Sequence, residues 1–228
     1  MRAIYLPFEN TELNQIISVI GDPAKHLNVV RVKISDEILV FNGHGIKLIT
    51  QIETINKNSI ELLIKEIIVC EPFHNISIAI STPKKEAFED ILKIAVELGV
   101  LNVYPLSSHF SQYDYVESDR VRRILESALV QSNNPIMPII YPQQTLEFFL
   151  RKIEKPLYFF NSRPSNFGKS EKIIGEKIIL IGPEGGFSMN EENLIVDRSE
   201  TFSIHLPTPI MRSPTAIAAS IGHLLVLP

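Results

Sequence analysis

From residue 76 onward, short apolar runs alternate with longer segments whose apolar residues recur at helical spacing, and this alternation constrains the fold most. The run 76–80 is typical of a buried strand, and the segment 82–98 places Phe88, Leu92 and Ala95 on one helical face. Because strands that alternate with helices form a parallel sheet covered on both faces, the sequence predicts an α/β domain. The other predicted elements are strands at 102–106, 156–160, 177–181 and 201–204 and helices at 117–131 and 213–227.

The first 70 residues have a different pattern, that of a small β domain with one short helix. Strand-like runs at 37–41, 47–55 and 60–69 are separated by turn sequences at 42–45 and 56–59. Asp22 and Pro23 suit the beginning of a helix. We therefore expect two domains, a β-barrel over 1–70 and an α/β domain over 75–228, joined by a linker at 71–75.

Composition limits the protein class. With 228 residues, 45% of them hydrophobic, the chain can form a sizeable core, and its formal net charge of −4 does not indicate nonspecific nucleic-acid binding. The single cysteine, Cys70, excludes an internal disulfide and a cysteine-rich zinc site and fits a reducing cytosol. The apolar stretch 216–227 is too short to span a bilayer. We expect a cytoplasmic protein with no membrane segment and no metal.

Two loops carry the strongest indication of a binding site. The first reads Gly182-Pro-Glu-Gly-Gly-Phe-Ser188 and the second Leu206-Pro-Thr-Pro-Ile-Met-Arg212, and each follows a predicted strand. Ligands of open α/β sheets bind at the carboxyl ends of the strands, and glycines let the backbone approach a ligand closely. The first loop is neither a Walker loop nor a dinucleotide fingerprint. Taken alone, it is also explained as a tight strand-to-helix turn with a solvated glutamate.

Together the loops resemble the signature of RsmE-type 16S rRNA uridine-N3 methyltransferases, members of the knotted SPOUT class. The first loop matches from Gly182 to Ser188, and the N-terminal region resembles the family's PUA-like domain. The other matching positions are His26, Leu27, Val30, Arg31, the run 41–43, Leu206, Ile210, Met211, Arg212, Thr215 and Ala216. The resemblance implies a PUA-like β-barrel followed by a parallel-sheet α/β domain with a C-terminal trefoil knot. It also implies S-adenosylmethionine as cofactor, 16S rRNA or the small ribosomal subunit as partner, and a homodimer.

The resemblance also implies roles for individual residues. It places the cofactor at Phe160, Asn161, Ile181, Gly182, Pro183, Glu184, Gly185, Gly186, His205, Leu206, Pro207, Ile210, Met211 and Ala216. Arg212 is the expected catalytic residue, because a guanidinium there can stabilise the anion that forms when uracil N3 loses its proton. Glu184 and His205 are available as bases, although we expect Glu184 to organise its own loop by accepting backbone N–H bonds. The expected RNA contacts are Arg2, His26, Arg31, Lys84, Arg120 and Arg123.

Several features leave alternatives open. The arginines at 120–123 are also explained as a solvated helix face, and the apolar residues of 213–227 as core or as a dimer interface. Pro207 stands where the family has glycine, Pro214 where it usually has glutamate, and family charges are missing at 108–110 and 130–134. These departures favour a noncatalytic RNA-binding or ribosome-assembly protein that has kept the fold. A methyltransferase with another RNA target and an unrelated nucleotide-binding enzyme are further alternatives.

Overall fold

A computed structural model describes residues 2–111, 113–161 and 175–226. By its contacts the chain divides into two units, Met1–Pro72 with Leu125–Met137, and Phe73–Ile124 with Pro138–Pro228. The elements are β1 (Arg2–Tyr5), β2 (Ile16–Ile20), α1 (Gly21–Val29), β3 (Glu37–Phe41), β4 (Ile46–Ile55), β5 (Ser59–Val69), β6 (Ile76–Ser81), α2 (Lys85–Glu97), β7 (Asn102–Ser107), α3 (Asp119–Ser132), β8 (Ile139–Ile140), β9 (Gln144–Thr145), α4 (Leu146–Lys152), β10 (Leu157–Phe160), β11 (Lys177–Ile181), α5 (Met189–Val196), β12 (Thr201–Ile204) and α6 (Ser213–Val226).

The first unit is built on a five-stranded sheet in the order β1-β3-β4-β5-β2. β1 pairs with β3 in parallel, and the remaining pairs are antiparallel. Residues alternate between the two faces of a strand, so every second residue of β3 and β4 points into the core. Leu27 of α1 is fully buried and packs in the same core as Ile38, Leu48 and Leu62. This agrees with the predicted N-terminal β domain with one helix.

The turn between β3 and β4 is hydrogen-bonded to a segment that is distant in the sequence. The Asn42 side chain accepts hydrogen bonds from the backbone N–H groups of His44 and Ile46, at 2.8 and 3.0 Å. The backbone N–H of Gly45 donates to the carbonyl of Pro135 at 3.0 Å. The end of α3 and the segment after it thus belong to the first unit. The sequence pattern does not predict that the chain comes back to this unit.

The second unit is a parallel sheet in the order β12-β10-β11-β6-β7-β8, with β9 also paired to β7. All of these pairs are parallel, and all six residues of the central strand β6 are buried. The predicted α/β class is therefore correct. The short strands β8 and β9 and the helices α4 and α5 were not predicted. Leu227, the predicted last residue of the final helix, lies outside the described residues.

The order of the last three strands determines where their loops meet. β10 lies between β11 and β12, and its last residue, Phe160, is in register with Ile204. The backbone N–H of Asn161 donates to the carbonyl of Ile204 at 2.9 Å. Since the strands are parallel, the segments that follow Phe160, Ile181 and Ile204 leave the sheet at one edge.

Candidate active site

A cavity of about 490 Å³ lies where these segments leave the sheet. Its volume falls in the range of pockets that hold small molecules, about 300–1,000 Å³. Its wall comes from the ends of β10 and β11, the loops after β11 and β12, and one side of α6. The residues that line it are Phe159, Phe160, Asn161, Ile181, Gly182, Pro183, Glu184, Gly185, Gly186, Phe187, Glu192, Leu206, Thr208, Pro209, Ile210, Met211, Ser213, Ala216 and Ser220.

The cavity brings together the residues predicted for the cofactor, with the exception of His205 and Pro207. His205 instead connects two strand ends, because its Nδ1 lies 3.2 Å from the carbonyl oxygen of Asn161. Pro207 is exposed. The sequence pattern did not single out Phe159, Glu192 or Thr208, which also line the wall. The individual cofactor contacts stay predictions.

The first loop is shaped by close packing and by one glycine conformation. Phe187 is buried, and its ring lies against Gly182 on one side and 5.8 Å from the ring of Phe159 on another. Gly186 has φ +77°, a backbone conformation that favours glycine, and its N–H donates to the carbonyl of Pro183 at 2.9 Å. The loop therefore presents to the cavity the backbone of Gly185 and Gly186, which carry no side chains of their own.

Glu184 does not have the structural role that we expected. Its side chain is exposed at the cavity wall and, among the described residues, accepts no backbone hydrogen bond. The carboxylate that organises this region belongs to Glu191, which forms a capping box with Ser188 at the beginning of α5. Glu191 Oε1 also accepts the backbone N–H of His109 at 2.7 Å. The Ser-x-x-Glu spacing at 188–191 is the sequence signal that could have identified Glu191.

Arg212 lies immediately before α6, between Met211 and Ser213, which both line the cavity. Its carbonyl accepts the N–H of Ala216 at 2.9 Å in the first turn of the helix. The guanidinium is exposed and has no hydrogen bond or ion pair with any residue that the structure describes. Arg212 thus lies next to two residues that line the cavity, with no partner for its guanidinium in the described part of the chain, and its catalytic role stays a prediction.

The final helix presents small residues to the cavity and large ones to the core. Ser213, Ala216 and Ser220 line the cavity. The predicted apolar residues Ile217, Ile221 and Leu224 are buried within the protomer, whereas Leu225 is 47% exposed. Core packing therefore explains three of these four residues.

The predicted RNA contacts differ in whether their side chains are paired with a carboxylate. Arg2 forms an ion pair with Asp36 at 3.2 Å. Arg120 donates two hydrogen bonds to the buried Glu89, at 2.5 and 2.7 Å, and these hold the pKa of that carboxyl below its usual value. Within the ranges described, the remaining predicted contacts are exposed and have no paired side chain; they are His26, Arg31, Lys84 and Arg123.

Among the described residues, no three His, Cys, Asp or Glu side chains lie close enough together to hold a metal ion. None of the helices described there is long and apolar enough to cross a membrane.

Known proteins resemble this chain over nearly its whole length. Ribosomal RNA small subunit methyltransferase E of Rickettsia conorii is 26% identical over 223 residues, which cover 94% of this chain and 91% of the relative. The protein of the same name from Buchnera aphidicola is 28% identical over 229 residues, with 94% and 92% covered. The crystal structure of ribosomal RNA small subunit methyltransferase E from Neisseria gonorrhoeae, bound to S-adenosyl methionine, has a TM-score of 0.86 and 26% identity. It covers 98% of this chain and 96% of that chain.

Two family models match successive parts of the sequence. A model of the RNA methyltransferase PUA domain matches residues 20–65, and a model of the RNA methyltransferase domain matches residues 70–225. The resemblance to RsmE-type methyltransferases and the predicted class, a PUA-like domain followed by a parallel-sheet α/β domain, are thereby confirmed. Because the second model matches more than half of the sequence, the chain belongs to the RNA methyltransferase domain family.

Proposed function

We propose that this protein transfers the methyl group of S-adenosylmethionine to N3 of a uridine in 16S rRNA of the small ribosomal subunit. The observation that carries the proposal is the convergence of the loops after β11 and β12, together with Ala216, on one cavity of about 490 Å³. The relatives are named as small-subunit rRNA methyltransferases, and one was crystallised with S-adenosyl methionine. The noncatalytic alternative, a protein that has kept the fold, would keep the cavity but would not need to bind a cofactor in it.

The wall of the cavity combines apolar side chains with accessible backbone groups, which suits the adenosine part of S-adenosylmethionine. Ile181, Leu206 and Met211 supply apolar contacts, and the backbone of Gly185 and Gly186 supplies polar groups that a side chain would otherwise cover. These residues, with the other predicted cofactor residues that line the cavity, would hold S-adenosylmethionine. When bound, the cofactor supplies a methyl group already activated by a sulfonium sulfur.

The protein has to orient the uridine and accept the proton that uracil N3 loses. Uracil N3 must lose its proton, and the negative charge then spreads onto O2 and O4. Arg212 is proposed to stabilise this charge, because its neighbours Met211 and Ser213 line the cavity and its guanidinium has no partner among the described residues. The carboxylates that line the cavity are Glu184 and Glu192, so they are better placed to accept the proton than His205.

The proposal also includes predictions about the domain bounds, the topology, the assembly and the location of the protein. They are domain bounds of 1–70 and 75–228, a C-terminal trefoil knot, a homodimer and a cytoplasmic location. The exposed apolar side chains of Ile210, Leu225 and Val226, at 90, 47 and 79%, support a second protomer near the cavity. The exposed Lys84 and Arg123 support contact with RNA phosphates.

Calorimetric titration with S-adenosylhomocysteine, followed by transfer of labelled methyl to unmodified 16S rRNA and small subunits, tests the proposal. We expect saturable binding and transfer to RNA. If the protein binds RNA but not S-adenosylhomocysteine, the noncatalytic alternative holds. If it prefers ATP or a dinucleotide, the methyltransferase proposal is wrong. Light scattering of the same sample gives the oligomeric state.

A further inference from the structure

A tight turn after β7 carries two exposed rings. The backbone N–H of Ser108 donates to the hydroxyl of Ser111, and the N–H of Ser111 donates to the carbonyl of Ser108, both at 2.9 Å. His109 and Phe110 occupy the tip, with their ring centroids 4.6 Å apart and their planes at 80°. Phe110 is 46% exposed, although it is one of the most apolar side chains.

The turn is attached to the first loop of the cavity in two places. A Cβ added to Gly185 would lie 3.4 Å from Cβ of Phe110 and 4.0 Å from its Cδ2, so the aromatic side chain lies against the loop backbone. The backbone N–H of His109 donates to Glu191, which also caps α5 directly after the loop. Phe110 is therefore held next to a residue that lines the cavity, with nearly half of its surface open.

We infer that Phe110 is a stacking surface for an unpaired base of the RNA substrate, an inference that rests on the proposed function. Proteins read RNA mainly at unstacked bases, which they place against aromatic rings. A ring fixed in advance loses little conformational freedom on binding. The ring of Phe110 is open to such a base, and hydrogen bonds fix the turn that carries it. Phe110 also adjoins the loop that borders the cavity.

Packing alone does not explain the exposure of Phe110. A phenylalanine that served only to cover Gly185 would have its ring largely enclosed, as Phe187 has at 7% exposure. A leucine would cover the same glycine while exposing less apolar surface. The base contacted belongs to a single-stranded segment, because only such a base can present its face to a side chain.

The test compares Phe110→Leu and Phe110→Trp with the wild-type protein. Three quantities are measured: the Kd for in vitro transcribed 16S rRNA in the presence of S-adenosylhomocysteine, the KM for that RNA in methyl transfer, and the Kd for S-adenosylhomocysteine alone. We expect Phe110→Leu to raise the first two by roughly 5- to 100-fold, since stacking on one base contributes that much. Phe110→Trp should stay within about 3-fold of wild type, because it keeps an aromatic face.

S-adenosylhomocysteine affinity should not change in either variant. The matched control is Phe148→Leu, which alters a phenylalanine on α4 that is 51% exposed and should leave all three values unchanged. The inference is overturned if Phe110→Leu binds and methylates RNA like wild type. It is equally overturned if RNA and S-adenosylhomocysteine affinity fall together, which would mean that Phe110 only supports the loop. Failure of the wild-type protein to methylate RNA would overturn the proposed function itself.

Discussion

Phe187 packs so closely on Gly182 that a Cβ on the glycine would lie 2.9 Å from Cε2 of the ring and 3.1 Å from Cδ2. Gly182 begins the first loop of the cavity, and Phe187 is the last residue but one of that loop. The absence of a side chain at Gly182 lets the buried ring close the loop, which fixes the backbone that faces the cavity.

Gly182→Ala should therefore open this loop. The buried ring must move, and overpacking of this kind costs about 1–3 kcal/mol. We expect a lower Tm and at least about tenfold weaker S-adenosylhomocysteine binding, about 1.4 kcal/mol, by calorimetry. Gly222→Ala is the matched control, since a Cβ there meets no atom within 4 Å and the helix should gain up to about 1 kcal/mol. Unchanged binding by Gly182→Ala would contradict this role of the loop.

Glu191 should stabilise two segments with one carboxylate. Glu191→Ala removes half of the capping box and the bond from His109, so we expect a loss of about 1–2 kcal/mol in urea unfolding. Ser188→Ala should cost about 1 kcal/mol. Because the two side chains bond each other, the double variant should lose less than the sum of the single losses. Strict additivity would show that the capping box is not a coupled unit.

Arg212→Ala should slow methyl transfer and leave the stability of the protein nearly unchanged. The guanidinium has no partner in the described structure, so its removal should change stability by less than about 0.5 kcal/mol. Loss of a group that stabilises a developing anion should lower kcat by about 10²- to 10³-fold. Arg151→Ala, which breaks an exposed ion pair with Glu147, serves as the control. Near wild-type kcat in Arg212→Ala would show that another group stabilises the anion.

The pair of Glu89 and Arg120 should give the stability a pH dependence. The hydrogen bonds from Arg120 lower the pKa of Glu89 in the folded protein below its ordinary value of 4.5. A lowered folded-state pKa means that this contribution is present above pH 4.5 and is lost as pH falls through the folded-state pKa. The stability difference between wild type and Glu89→Gln, followed by urea unfolding from pH 7 to pH 3, should shrink over that range. Asp90→Asn, an exposed change in the same helix, should not reproduce this decrease.

Regular patterns in the sequence were sufficient to predict most of the second unit. The strands at 177–181 and 201–204 were predicted with the bounds that the structure has. Because parallel strands end at one edge, the pattern also predicted that Asn161, Gly182 and Leu206 would cluster at one edge of the sheet, and in the structure all three line the cavity. The PUA-like class depended on the resemblance carried by His26, Arg31 and the 41–43 turn.

The features that were missed depend on contacts between distant residues. The return of Leu125–Met137 to the first unit rests on backbone bonds such as Gly45 to Pro135, which have no side-chain pattern. Arg120 was predicted as an RNA contact or as part of a solvated helix face, and neither prediction included the ion pair with Glu89 that the structure has. The role expected of Glu184 belongs to Glu191, and the capping-box spacing at 188–191 was the overlooked local signal.

The most direct test of the account is to map the methyl group that the protein adds. The wild-type protein would be incubated with isotope-labelled S-adenosylmethionine and small ribosomal subunits that lack the modification. Nuclease digestion and mass spectrometry of the 16S rRNA would then locate the label. The account predicts label at N3 of a single uridine. Label on another atom or another base, or no label from a protein that binds S-adenosylhomocysteine, would contradict it.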